Sequence, residues 1–97
     1  MATEKQFRSK LIGEIKKEYP GAVILNTHPS NIQGFPDLLV LYGPNWVALE
    51  VKKSATSRRG PNQIYWVDYL DRLSYANVVY PENIGDTLYG IHQTFRS

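Results

Sequence analysis

The sequence predicts one α/β domain in which helices flank a mixed central sheet, in the order αβββαβα. Three observations lead to this expectation. Apolar residues recur at helical spacing near the N-terminus, two apolar runs are joined by a tight Gly-Pro-Asn turn, and helical spacing returns in the second half around one short strand. The 97 residues, 42% of them hydrophobic and 21% charged, fit a single domain spanning 1–97.

The first predicted helix spans about residues 4–19. Thr3 and Gln6 have the spacing of a capping box, which satisfies free backbone N–H groups at a helix start. Pro20 and Gly21 then stop the helix. Its apolar stripe consists of Phe7, Leu11, Ile12, Ile15 and Tyr19.

Three strands are predicted next. The apolar run 22–26 is the first strand, and a polar loop, 27–34, follows it. The runs 35–42 and 46–53 flank the turn 43–45 and have the pattern of a β-hairpin. The middle of the chain is therefore expected to form an antiparallel part of the sheet.

The second half predicts two helices around a strand. Pro61 suits the first turn of a helix over about 61–74, followed by a strand at 77–80 and a helix over 81–95. The apolar stripe of the first of these helices is Ile64, Val67, Leu70 and Leu73. That of the last helix is Ile84, Leu88, Ile91 and Phe95.

Composition limits the functional classes. The absence of cysteine excludes disulfides and thiolate metal sites, and it suits a reducing compartment. No signal-type segment and no run of roughly 20 apolar residues is present, so we expect a soluble, cytoplasmic protein without membrane contact. The net charge of +2 and pI near 8.9 are compatible with a polyanionic partner. A chain this short buries a modest share of its surface, which leaves a homodimer open.

Charged residues interrupt the apolar hairpin. Alternation along the second hairpin strand places Glu50 and Lys52 on one face, and antiparallel pairing brings Asp37 beside them. Burying charges is costly unless they are paired or bind a metal. The alternative is an exposed ion pair between Glu50 and Lys52 or Lys53, with Asp37 as a turn residue after Pro36.

Pro36-Asp37 on one strand and Glu50-x-Lys52 on the next resemble the active-site motif of the PD-(D/E)xK nuclease superfamily. Over about residues 4–80 the chain looks most like small VRR-NUC (virus-type replication-repair nuclease) domains, and more distantly like archaeal Holliday-junction resolvases. The resemblance implies a restriction-endonuclease-like core and a metal-dependent DNA endonuclease, structure-selective or nicking. It also implies a role in replication, recombination or repair, in prokaryotic or phage-infected cells.

The resemblance implies two more site residues. A glutamine early in the helix after the lysine strand corresponds to Gln63, in Pro61-Asn62-Gln63. A glutamate near the start of the first helix is also implied, and at about 100° per residue Glu4 projects into the buried stripe while Glu14 lies about 80° away, on the surface. Each has an alternative explanation. Glu4 could be an acid in the first helical turn that the helix dipole favours, and Gln63 could be an ordinary polar residue in a first helical turn.

The chemistry implied for these residues is phosphodiester hydrolysis. Mg²⁺ or Mn²⁺ would be held by Asp37, Glu50 and Glu4. Lys52 would orient or help deprotonate the attacking water and stabilise the transition state, and Gln63 would position water or phosphate. The residues that could hold flanking DNA phosphates are Lys53, Arg58 and Arg59, for which a solvated basic loop is the alternative.

Other functions remain open from the sequence. A Holliday-junction resolvase would need a dimer for paired cuts, a non-catalytic DNA-binding or inhibitor module would keep the fold without turnover, and a structural protein would bind no metal. The aromatic residues Tyr65, Trp66 and Tyr69 could stack on bases, but their spacing indicates core or a subunit interface.

Overall fold

The computed structural model describes residues 3–28 and 30–96, so Pro29 of the predicted polar loop lies outside the described residues. The predicted order αβββαβα is confirmed. The elements are α1 (Glu4–Glu18), β1 (Val23–Asn26), β2 (Leu38–Tyr42), β3 (Asn45–Val51), α2 (Pro61–Leu73), β4 (Tyr75–Val79), a 3-10 turn (Pro81–Asn83) and α3 (Ile84–Phe95). No helix within the described ranges is long and apolar enough to cross a membrane.

The sheet is mixed, with the strand order β1-β2-β3-β4. The first three strands are antiparallel neighbours, whereas β4 pairs with β3 in parallel after the crossover through α2. Gly43 has a φ of +57° in the turn of the predicted β2–β3 hairpin. Leu38 pairs with Leu49 at the end of the hairpin away from this turn, so the residues before β2 and after β3 meet there.

One face of the sheet packs against α1 and α3. The capping box of Thr3 and Gln6 is present at the start of α1. The buried side chains of this main core are Phe7, Leu11, Ile15, Leu38, Val40, Val47, Leu49, Val51, Val79, Ile91 and Phe95. Burial of these apolar surfaces is the main term holding both helices to the sheet.

Helix α2 covers the opposite face through Trp66, Val67 and Leu70, which pack near Ala48 of β3 and Ala76 of β4. The small alanine side chains let the helix approach the strands closely. Side chains of β3 alternate between the two faces of the sheet. Ala48 faces α2, whereas Val47, Leu49 and Val51 belong to the main core on the other face.

The predicted stripe of α2 was wrong in two positions, because Ile64 is 54% exposed and Leu73 is 62% exposed. Positions three apart drift by about 60° per step around a helix, so Ile64 and Leu73 lie on opposite sides of α2. The face toward the sheet instead follows the i, i+4 pair of Trp66 and Leu70.

The aromatic residues of α2 divide in the same way. The core interpretation holds for Trp66, whose ring lies 5.7 Å from that of Phe35. Tyr65 and Tyr69 are 56% and 40% exposed and stack on each other with centroids 6.1 Å apart, so they are not core residues, and the subunit-interface alternative stays a prediction.

Strand β4 begins two residues earlier than predicted, at Tyr75, because α2 ends at Leu73. The Ser74 hydroxyl donates a hydrogen bond of 2.6 Å to the Trp46 carbonyl, which ties the end of α2 to β3. Parallel pairing can therefore start at once, with Val47 opposite Tyr75.

Gly34 fixes the loop before β2 against the start of α2. Its φ is +82°, and a Cβ atom there would lie 2.4 Å from the Asn62 Cβ.

Gly34→Ala is therefore expected to lower the melting temperature more than Gly21→Ala, because Gly21 has a similar φ of +92° and open space around it. The left-handed backbone costs alanine about 1–2 kcal/mol at either position, whereas the clash affects Gly34 alone. Equal melting temperatures for the two variants would contradict the close approach.

Candidate active site

Asp37 lies at the end of the hairpin where β2 begins. Its carbonyl accepts a hydrogen bond of 2.8 Å from the Thr27 N–H, which fixes the backbone at this point. Its Oδ2 accepts a hydrogen bond of 3.0 Å from the Val51 N–H across the hairpin. The Asp37 side chain is 15% exposed. The carboxylate is therefore held beside the end of β3, where the sequence placed it.

Glu50 and Lys52 extend from the end of β3. Lys52 follows the strand, and its N–H donates to the Val79 carbonyl at 2.9 Å, which continues the parallel pairing with β4. The Lys52 Nζ lies 3.4 Å from the Glu50 Oε2. The Lys52 side chain is 14% exposed and the Glu50 side chain is 4% exposed. The alternative interpretation, an exposed surface ion pair, therefore does not describe this pair.

The surroundings of Glu50 raise the pKa of its carboxyl group. Burial raises its pKa to about 7, the neighbouring Asp37 carboxylate also raises it, and Lys52 opposes both. The Glu50 Oε1 is buried and has no hydrogen-bond partner among the described residues. A buried carboxylate oxygen without a partner is costly in a purely structural role.

The raised pKa of Glu50 gives a pH dependence of stability. Glu50 binds its proton more tightly in the folded than in the unfolded chain, so its contribution is complete below pH 4.5 and is lost as pH rises to about 7. In buffer with a chelator, we expect the free energy of unfolding of wild type to fall relative to Glu50→Gln by roughly 2–3 kcal/mol between pH 5 and pH 7.5. Urea denaturation measures this difference, and parallel pH profiles would contradict it.

Gln63 is joined to the same carboxylate. Its Nε2 donates a hydrogen bond of 3.0 Å to the Glu50 Oε2, and its Oε1 accepts one of 3.0 Å from the Gly60 N–H. The second bond caps the start of α2 and fixes the direction of the amide. The structure thus brings together Gln63, Glu50, Lys52 and Asp37.

Arg8 is a member of this cluster that the sequence interpretation missed. Its Nη2 lies 3.1 Å from the Glu4 Oε2 and 3.5 Å from the Asp37 Oδ2. Glu4 therefore lies at the same end of the sheet as Asp37, with its side chain 43% exposed and Arg8 between the two carboxylates. The i, i+4 spacing of Glu4 and Arg8 allows an ion pair on one helix face, so the sequence could have indicated the Glu4–Arg8 contact.

Glu14 lies elsewhere, beside a groove between α1 and α3 that also contains Lys17 and His92. This position is consistent with its expected place on the surface. Only Glu4, of these two glutamates, belongs to the neighbourhood of Asp37.

A polar cavity of about 420 Å³ opens next to the cluster. It is lined by Gln33, Gly34, Lys52, Arg58, Gly60, Pro61, Asn62 and Gln63. Of the three basic residues expected near DNA, Arg58 lines this cavity, Lys53 is exposed, and the Arg59 guanidinium lies 5.6 Å from the centre of the Tyr80 ring. Arg58 is therefore the best placed of the three to meet a ligand at Lys52.

The oxygen donors fit a hard divalent metal. No three carboxylate or imidazole side chains among the described residues are grouped closely enough to hold a metal by themselves. Mg²⁺, however, commonly binds through one or two carboxylates and completes its octahedron with water and substrate phosphate. Asp37 and the buried Glu50 Oε1 could supply such a pair. The chemistry of the site therefore suits Mg²⁺ or Mn²⁺.

Neither a protein-family model nor a curated protein matches this sequence. Among solved structures, the chain is similar to one described as a VRR_NUC domain protein, with a TM-score of 0.67 and 18% identity. The similarity covers 99% of this chain and 90% of the other. The chain thus has a VRR-NUC-like fold, and the similarity extends over α3, for which the sequence resemblance offered no counterpart.

Proposed function

We propose that this protein is a Mg²⁺- or Mn²⁺-dependent DNA endonuclease whose active site consists of Asp37, Glu50, Lys52 and Gln63. The observation that carries the proposal is the buried Glu50 carboxylate, which faces Asp37, Lys52 and Gln63 at one end of the sheet. One of its oxygens has no partner among the residues that the structure describes. The nuclease-like fold supports the same function.

The metal would be bound by Asp37 and Glu50, both oxygen ligands suited to Mg²⁺. When bound, it would supply Lewis-acid stabilisation of the phosphate charge that grows during hydrolysis. Glu4 is a further candidate ligand, but its carboxylate pairs with Arg8 in this structure. We therefore place Glu4 behind Asp37 and Glu50 in the order of importance.

Lys52 would act on the reacting phosphate and the attacking water. Its ammonium group lies at the boundary between the buried carboxylates and the polar cavity, because it pairs with Glu50 and also lines that cavity. From this position it can hydrogen-bond water or a phosphate oxygen and stabilise negative charge in the transition state. Such preorganised donors act most strongly where water is excluded.

Gln63 would fix the Glu50 carboxylate relative to the start of α2. Its amide is bound at both ends, by the Gly60 N–H and by Glu50, so it has little rotational freedom. The cavity beside it is where the DNA backbone would approach, with Arg58 to pair with a phosphate.

The direct test is cleavage of end-labelled single-stranded, duplex, flap and four-way DNA by the purified protein with Mg²⁺, Mn²⁺ or a chelator. We expect cleavage of at least one substrate with metal and none with the chelator. A protein that cuts none of them would contradict the endonuclease proposal, and equal cutting in the chelator would contradict its metal dependence.

The same substrates separate the remaining candidates. A Holliday-junction resolvase would cut the four-way substrate in pairs of strands and elute as a dimer in gel filtration. A non-catalytic DNA-binding module would shift these substrates in gels without cutting them.

A further inference from the structure

Arg8 bridges two acidic residues at the candidate metal site. A single atom, its Nη2, contacts both the Glu4 Oε2 at 3.1 Å and the Asp37 Oδ2 at 3.5 Å. The Arg8 side chain is 25% exposed, so this pairing is only partly screened by solvent. A positive charge therefore already lies on one of the two carboxylates that would hold the metal.

The arrangement leaves Arg8 incompletely satisfied. Its Nε is buried and has no hydrogen-bond partner among the described residues, which makes this position costly for a side chain with five donors. Glu4, its nearer partner, is 43% exposed, and exposed ion pairs are weak. Arg8 is thus held by Glu4 and Asp37 together, with Asp37 as the more buried of the two partners.

A divalent cation on Asp37 would have to share that carboxylate with the guanidinium. The Asp37 Oδ2 also accepts the Val51 N–H at 3.0 Å, so the contacts around this oxygen are already crowded. Two like charges close to one carboxylate repel each other in a partly buried site. Binding of the metal and pairing with Arg8 are therefore mutually unfavourable.

We propose that Arg8 is an internal counter-ion that competes with the divalent metal for Asp37, so that the guanidinium leaves Asp37 when the metal binds. The inference rests on the proposed function, since it takes Asp37 as a metal ligand. Its effect is to stabilise the acidic cluster before the metal arrives and to weaken metal binding once it does.

Calorimetric titration of Mn²⁺ into the full chain tests this competition. Arg8→Gln is expected to tighten Mn²⁺ binding about three- to fivefold, the upper part of the range that loss of one ion pair provides. Arg8→Lys keeps the charge and is expected to stay within about twofold of wild type. Lys10→Gln removes a positive charge from the exposed face of the same helix and controls for net charge, also with a change below about twofold.

A second readout follows Arg8 itself. The NMR signal of its Nε–H group, identified by its loss in Arg8→Lys, is expected to shift when Mg²⁺ is added. This measurement does not depend on the stability of Arg8→Gln.

The possible outcomes are distinct. A wild type that binds Mn²⁺, with Arg8→Gln binding equally well or more weakly, overturns the competition while leaving the nuclease proposal standing. An Arg8 signal that stays unchanged while Mg²⁺ binds overturns it as well. A wild type that binds no Mn²⁺ and cuts no DNA overturns both the competition and the proposed function.

Discussion

Replacing Lys52 with methionine is expected to lower the rate of Mg²⁺-dependent DNA cleavage about a thousandfold. Methionine keeps an apolar chain in the partly buried position of the lysine stem, while the ammonium group that faces Glu50 is lost. Single-turnover cleavage of whichever substrate the wild type cuts best measures the effect, so that product release does not mask the chemical step.

Lys53→Met is the matched control, because Lys53 is the next residue in the chain and is exposed. It removes the same charge from the same segment, and we expect a rate within about threefold of wild type at moderate salt. If Lys52→Met and Lys53→Met cleave DNA at similar rates, Lys52 contributes no more than general attraction of DNA. That result would exclude Lys52 from the proposed chemistry.

Asp37→Asn is expected to reduce cleavage by roughly a hundred- to a thousandfold, because a metal ligand contributes several kcal/mol and each 1.36 kcal/mol is a factor of ten. The fold should persist, since an asparagine oxygen can still accept the Val51 N–H. Stability above pH 7 should change little, because removing the repulsion between Asp37 and Glu50 offsets the loss of the Arg8–Asp37 ion pair.

A large loss of activity with little change in stability distinguishes Asp37→Asn from a variant that merely unfolds. Asp68→Asn, at an exposed position of α2, controls for the loss of one acidic charge. Thermal denaturation and Mn²⁺ titration on the same preparations give the two quantities. An Asp37→Asn protein that binds Mn²⁺ and cuts DNA like wild type would exclude Asp37 as a ligand.

The hairpin was predictable because two rules act on the same residues. Alternation along a strand fixes which side chains share a face, and a tight turn fixes the register of its two strands. Together these placed Asp37, Glu50 and Lys52 at one end of the sheet, as the structure has them. The order of elements followed from helical spacing and from the Pro and Gly residues between them.

Features that depend on packing between distant elements were not predictable in the same way. The face that α2 turns to the sheet is decided by how Trp66 and Leu70 fit over the alanines of β3 and β4, and apolar spacing alone indicated Ile64 and Leu73. The position of Arg8 depends on how closely α1 approaches the hairpin end. Side-chain burial and the resulting pKa of Glu50 likewise require the assembled structure.

The location of a bound divalent metal decides whether Asp37 and Glu50 form a metal site. Crystals soaked in Mn²⁺ should show an anomalous scattering peak within coordinating distance of both the Asp37 and the Glu50 carboxylates, and this peak should be absent from crystals of Glu50→Gln. A fully occupied Mn²⁺ elsewhere on the protein, with no peak between Asp37 and Glu50, would contradict a metal-dependent active site at this end of the sheet.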